Sequence, residues 1–133
     1  MLKTVQYDPD DSLNLMEASV LWGIVNFYQN PALAEQVQHC RVTQREYSGC
    51  GFFTTLTVPV GSRQIVAGKT RAYNGSDLDA PELSHGAGSV LFLREGIIDF
   101  LEVFAYVDGD PATVEAFTLQ PFGPATGDAQ ASG

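Results

Sequence analysis

At 133 residues and 14.4 kDa the chain suits one domain, and 44% hydrophobic against 17% charged residues describes a globular protein, which excludes a disordered, collagen-like or repeat chain. The formal net charge of −9 is unevenly spread: six acids and six bases cancel as far as Ser76, and from Asp77 onward ten acids face Arg94 alone. That balance repels phosphate backbones and excludes nucleic acid as a direct partner, while it allows a basic protein partner or a surface that simply keeps the domain soluble.

Asp8-Pro9-Asp10-Asp11-Ser12 reads as a loop, and Asn14 with Glu17 three residues later forms a capping box, so a helix begins there. Met16, Val20, Ile24, Phe27 and Tyr28 recur at helical spacing and predict one stripe facing a core. Asn30-Pro31 starts a second short helix through about Val37. From Arg41 the period changes to two. Arg41 to Tyr47 and Phe52 to Val58 are strands joined by the glycine-rich turn Ser48-Gly49-Cys50-Gly51, and Gln64 to Tyr73 offers a weaker third strand. The turn Asn74-Gly75-Ser76-Asp77 and a loop through Pro81 lead to the strongest hairpin, Ser89 to Arg94, Glu95-Gly96, Ile97 to Tyr106. Asp108-Gly109-Asp110-Pro111 turns again before a last strand, Thr113 to Leu119.

This order predicts an α+β domain over residues 1–122, with one or two N-terminal helices packed on an antiparallel β-meander of five to six strands. Residues 123–133 form a Gly- and Ala-rich tail with nothing to bury, for which Phe122 is the anchor. The richest apolar stretch, Val90 to Val107, is broken by Arg94, Glu95, Gly96, Asp99 and Glu102, so no membrane span and no membrane partner are expected. Met1 to Asp8 lack the apolar core of an export signal, and the chain is read as cytoplasmic. Cys40 and Cys50 are then expected to stay reduced, and with His39 and His85 they show no metal-ligand spacing, so no metal site is expected. A phosphate loop, a nucleophile elbow and a zinc-binding helix are all missing, and no cofactor is expected.

One residue stands out. If Glu95-Gly96 is a two-residue turn, cross-strand pairing follows by arithmetic and puts Glu102 opposite Ser89, between Phe100 and Phe104 and near Gly86 and Gly88. A carboxylate in that setting needs a donor, for which Ser89, Tyr106, His85 or a ligand qualifies, and it tends to titrate high, as a general acid does. The same group also serves as a purely structural carboxylate, and His85 as a loop-fixing hydrogen bonder. Both faces of this hairpin are apolar, so each side must be covered; for the side away from the helices a curled sheet, the long loop before Ser89 or another subunit would serve, and a homodimer is the favoured cover.

Three segments carry a likeness: Arg45-Glu46-Tyr47-Ser48-Gly49-Cys50-Gly51-Phe52-Phe53-Thr54, His85-Gly86-Ala87-Gly88-Ser89-Val90-Leu91-Phe92 and Gly96-Ile97-Ile98-Asp99-Phe100-Leu101-Glu102-Val103-Phe104. They resemble a group of small bacterial proteins in which a "REYTGxGFFT" hairpin precedes a "GAGFxLFxxDGxIxxLE" hairpin. The resemblance spans about residues 41–119 and implies no particular reaction. The chain departs from the pattern with Ser89 in place of an aromatic, Glu95 in place of the turn aspartate, and Asp108-Gly109-Asp110-Pro111 in place of a tryptophan-containing turn.

Two functions follow. The first is a non-enzymatic acidic protein-binding module of immunity or antitoxin type, dimeric, that meets a basic partner; the second is a small hydrolase or isomerase with a Glu102/His85 acid–base pair or Ser89. Catalytic candidates are therefore Glu102, His85 and Ser89, and binding candidates are these three with Gly86, Gly88 and Tyr106. The charge distribution favours the first reading.

Overall fold

The structure, a computed structural model, describes residues 11–66 and 71–122. The tail over 123–133, the loop before Asp11 and the Lys69 part of the expected third strand lie outside these residues. Two helices, α1 (Leu15–Tyr28) and α2 (Pro31–His39), precede an antiparallel sheet of seven strands: β1 (Arg41–Tyr47), β2 (Gly51–Thr57), β3 (Ala72–Asn74), β4 (Leu78–Ala80), β5 (Leu83–Arg94), β6 (Ile97–Ala105) and β7 (Thr118–Leu119). The expected α+β class is present. The hairpins β1–β2 and β5–β6 lie side by side through β2–β6 pairing, with β4 and β7 beyond β5 and with β3 also on β5. Among the described residues no helix is long and apolar enough to cross a membrane.

The capping box forms as the spacing predicts: Asn14 Oδ1 accepts from the Glu17 amide at 2.8 Å, and Glu17 Oε1 accepts from the Asn14 amide at 2.9 Å. α1 stops at Gln29, in a left-handed conformation with φ 59°, and Asn30 then caps α2 with Pro31 in its first turn. Met16, Val20, Leu21 and Ile24 of α1 and Leu33 and Val37 of α2 are buried with Phe52, Leu56, Leu91, Ile98, Leu101 and Val103 from the sheet, so both helices cover the same face. Phe122 packs on Phe27 with ring centroids 4.2 Å apart, while the tail it was expected to anchor lies outside the described residues.

Two of the expected strands are redrawn. The third keeps only Ala72–Asn74, and the segment before it is held instead by Ile65, whose amide donates to Gly96 O at 2.8 Å. The last becomes a 3-10 turn, Pro111–Thr113, and the two-residue β7. β5 begins at Leu83 rather than Ser89, because the weak strand formers Gly86 and Gly88 are held in place: Ala87 pairs with Leu78 of β4, Gly88 with Phe104 of β6, and the Tyr106 amide donates to Gly86 O at 3.1 Å.

Register brings a larger correction. Glu95 and Gly96 do form the two-residue turn, both at positive φ (52° and 79°), and Arg94 pairs with Ile97 and Leu93 with Ile98. Asp99 is then a bulge, after which Phe92 pairs with Phe100 and Val90 with Glu102. One extra residue flips the parity of the rest of β6. Glu102 therefore faces away from the helices with Val90 and Phe92, while Leu101 and Val103 join Ser89 and Leu91 on the core side. A second bulge at Thr43 does the same to β1 and turns Arg45 inward.

Arg45 is 4% exposed and meets Glu17, which is fully buried. Nε and Nη2 donate to the two carboxylate oxygens at 2.8 Å each, and Thr54 Oγ1 donates to Glu17 Oε2 at 2.6 Å. Gln36, 1% exposed, forms a second polar tie: its amide nitrogen donates to Arg63 O at 2.7 Å and Gly96 O at 2.9 Å, and its oxygen accepts from the Ile98 amide at 2.8 Å. Thus α2 grips the β5–β6 turn and the loop before β3 together.

Removing one partner of a buried ion pair leaves the other charge uncompensated. Arg45→Met is expected to cost about 3–5 kcal/mol in urea unfolding, and the Glu17→Met/Arg45→Met double variant to recover much of that loss. Equal losses in single and double variants would contradict the pairing. Gln36→Leu strands the Ile98 amide, so hydrogen exchange at Ile98 is expected to accelerate well beyond that at Leu91, in the interior of β5.

Candidate functional site

The face of the sheet away from the helices is built by strand alternation. β2 contributes Phe53 and Thr55, β6 contributes Phe100, Glu102 and Phe104, and β5 contributes Gly88, Val90 and Phe92. All except Gly88 are half-buried, and none of the described residues forms a layer over them. Phe92 stacks on Phe100 with centroids 4.6 Å apart and planes 21° from parallel, and Phe53 stands 6.1 Å from Phe100. Phe104 and Tyr106 meet edge to face at 5.5 Å. These two rings lie over Gly88, where a Cβ would stand 2.6 Å from Tyr106 Oη and 2.7 Å from Phe104 Cζ.

Glu102 lies within this aromatic surface. Its cross-strand neighbours are Phe53 and Val90, and Glu46 lies one strand further on, opposite Phe53. Among the described residues no hydrogen bond or ion pair reaches the Glu102 carboxylate, and burial alone raises its pKa above the ordinary glutamate value. Three donors on or near this face are committed elsewhere. Tyr106 Oη donates to Asp77 Oδ1 at 2.7 Å, and burial, followed by this bond and the aspartate charge, pushes the phenol up to about 12. Gln44 donates to Glu46 at 2.8 Å, and Arg94, at the hairpin tip, pairs with Asp99 at 3.5 Å.

The structure does not gather the residues singled out for acid–base chemistry. Ser89 points into the core, where its hydroxyl donates to Ser76 O at 3.0 Å and holds the turn before β4. Gly86, at φ +76°, permits a close approach of β5 to the Leu78 carbonyl, which a Cβ would meet at 2.8 Å. His85 is exposed beyond the Ala87–Ala105 pair, itself three residues from Glu102 along β6, or about 10 Å. Its Nδ1 lies 3.0 Å from Ser84 Oγ, and that hydroxyl donates to Asp108. A serine that gives its proton to a carboxylate is not activated by the imidazole, so this trio lacks the order of a nucleophilic triad.

Outside this face, a cleft of about 220 Å3 lies between the start of α1, the β1–β2 hairpin and the segment after the 3-10 turn, bordered by Met16, Arg45, Tyr47, Phe52 and Phe117. Its guanidinium is the one already paired with Glu17. Cys40 and Cys50 are free thiols, and burial pushes the Cys40 thiol up to about 11, where it is a poor nucleophile. Among the described residues no three His, Cys, Asp or Glu side chains come together as metal ligands.

The pairing arithmetic located Glu102 but joined it to the wrong neighbours. The residues it missed are Phe53 and the Phe92–Phe100 stack, whose signal is present in the sequence as apolar residues on both parities of β5 and β6. No protein-family model matches the chain, and comparison with curated proteins and with solved structures yields no match either.

A carboxyl group whose folded pKa lies above its unfolded value supports the fold only while protonated. That contribution is complete below the unfolded glutamate value and is lost as pH rises through the folded one, so the charge is a net cost at neutral pH. Glu102→Gln is expected to melt above the native chain at neutral pH, with the gap closing below about pH 4. A lower melting temperature for the variant at neutral pH would mean that the folded chain itself supplies a cation to Glu102.

Proposed function

We propose that the protein is a non-enzymatic protein-binding module that takes a basic partner on the outer face of its sheet, as an immunity protein or antitoxin masks a cationic target. The observation that carries this reading is a sheet face that no described residue covers, on which Phe53, Phe92, Phe100 and Phe104 surround a carboxylate with no counter-charge among the described residues. Aromatic rings at the centre of a surface are what protein interfaces enrich, and they supply contact area at small entropic cost. Charge adds direction. Glu46 lies in the same row as Phe53 and Glu102, Asp77 bonds Tyr106 beside Phe104, and Arg94 and Arg41 are ion-paired with Asp99 and Asp11. A cationic surface is steered toward such a face and away from phosphate-rich competitors.

A second copy of the chain, the cover expected from the sequence alone, is here the rival occupant, and it would hide the same rings. Face-to-face pairing of two copies sets these carboxylates against each other, so charge favours a foreign basic protein over self-association.

Immobilised chain is expected to retain a protein of high isoelectric point from its native host at about 50 mM salt and to release it at about 500 mM, where screening acts within a few ångströms. A Phe53→Ser/Phe100→Ser variant should retain it at neither. Light scattering should give the mass of one chain. A tight dimer, capture indifferent to salt, or capture unaffected by the double variant would overturn the reading.

A further inference from the structure

Resting on the outer-face reading, we propose that the partner seats an arginine on Glu102, with its guanidinium paired to the carboxylate and laid against Phe53 and Phe104.

A cross-strand row runs Glu46, Phe53, Glu102, Val90, Asn74 over β1, β2, β6, β5 and β3, with Phe100 and Phe104 on either side of Glu102 along β6. Water solvates the carboxylate while the face is open. Any occupant that covers the rings expels that water and leaves a charge to which no described residue is bonded, since Tyr106, Gln44 and Arg94 bond other acids and Ser89 points the other way. An apolar occupant is therefore penalised at the centre of the very surface it would cover, and the occupant must bring donors and positive charge to that point.

Arginine meets this demand better than lysine. Its plane stacks on aromatic rings, its fork matches a carboxylate in two parallel hydrogen bonds, and it is more easily stripped of water than an ammonium. A second copy meets it poorly. The guanidinium it could offer from this hairpin is Arg94, which is bound to Asp99 and stands four residues along β5 from Val90, the partner of Glu102, or about 13 Å away.

The test uses blocked tripeptides Gly-Arg-Gly, Gly-Lys-Gly and Gly-citrulline-Gly, titrated into the full chain while the Glu102 carboxyl and the Phe53 and Phe104 ring resonances are followed by NMR. The arginine peptide should shift these resonances saturably, the lysine peptide should bind several-fold more weakly, and the uncharged citrulline peptide should leave them in place. Glu102→Gln, which preserves shape, should weaken the arginine peptide about tenfold, whereas Glu115→Gln on another surface should not change it. Equal binding of arginine and lysine peptides, an undiminished response in Glu102→Gln, or a dimer lost on Arg94→Ala would overturn the assignment. If Glu102→Gln keeps its peptide response while Phe53→Ser/Phe100→Ser still loses the captured basic protein, the arginine assignment fails and the face reading survives. If neither variant has an effect, both fall.

Discussion

The carboxylate of Glu17 has four acceptor positions, and all four are filled: Oε1 takes the Asn14 amide and Arg45 Nη2, and Oε2 takes Arg45 Nε and Thr54 Oγ1. One side chain thereby closes the first turn of α1, neutralises a buried guanidinium from β1 and ties the helix to β2. Compared with an apolar contact of the same size it adds little net stability, but it tolerates one arrangement only, since a shift of the helix by one turn strands two charges. The helices are consequently fixed over the half of the sheet made by β1 and β2, and Gln36 repeats the device over the β5–β6 turn. With both helices committed to one side, no described residue covers the opposite face.

Much of this architecture could be read from residue order. The Asn14–Glu17 box, the Asn30-Pro31 start and the Glu95-Gly96 turn are local signals, decided by a few adjacent residues, and each forms as expected. What could not be read is nonlocal. Single-residue bulges at Thr43 and Asp99 invert the inward and outward positions that follow them, and no composition rule marks either site. The first inversion buries Arg45, which an unbroken alternation would leave outside. The second moves Glu102 from the core side to the outer face. Glu17 was visible only as a cap, because a capping-box glutamate with a second role has the same sequence signature as one without.

Glu17 and Glu102 make an instructive contrast within one chain. Glu17 is fully buried with every lone pair matched; Glu102 is half-buried with none matched by the described residues. Folding alone explains the first and is opposed by the second. Apolar residues on both sides of β5 and β6 are likewise more than the single helical layer needs, since an antiparallel sheet open to water on one side normally alternates with polar residues. The rings and an acid unmatched by any described residue occupy the same patch, which supports the proposal that this face is an interface.

A charge on an open sheet face can also serve to keep molecules apart, as lysines and inward-pointing charges do on exposed strands. That role and recognition differ in where the charge should sit. A repelling charge works best at an edge strand, projecting freely into solvent; here the edge strand β1 carries Glu46, whose carboxylate is bonded to Gln44, while Glu102 is on β6, between β2 and β5, sunk among phenylalanines. Sunk placement weakens repulsion at a distance but sharpens discrimination on contact, because the penalty for covering the group is large for every occupant that lacks a matching donor. The position of Glu102 therefore suits selection of a cationic partner better than simple avoidance of association. In the proposed reading the same carboxylate, unmatched by any described residue, also disfavours self-docking, so one group would set both the preference against a second copy and the chemistry of the partner.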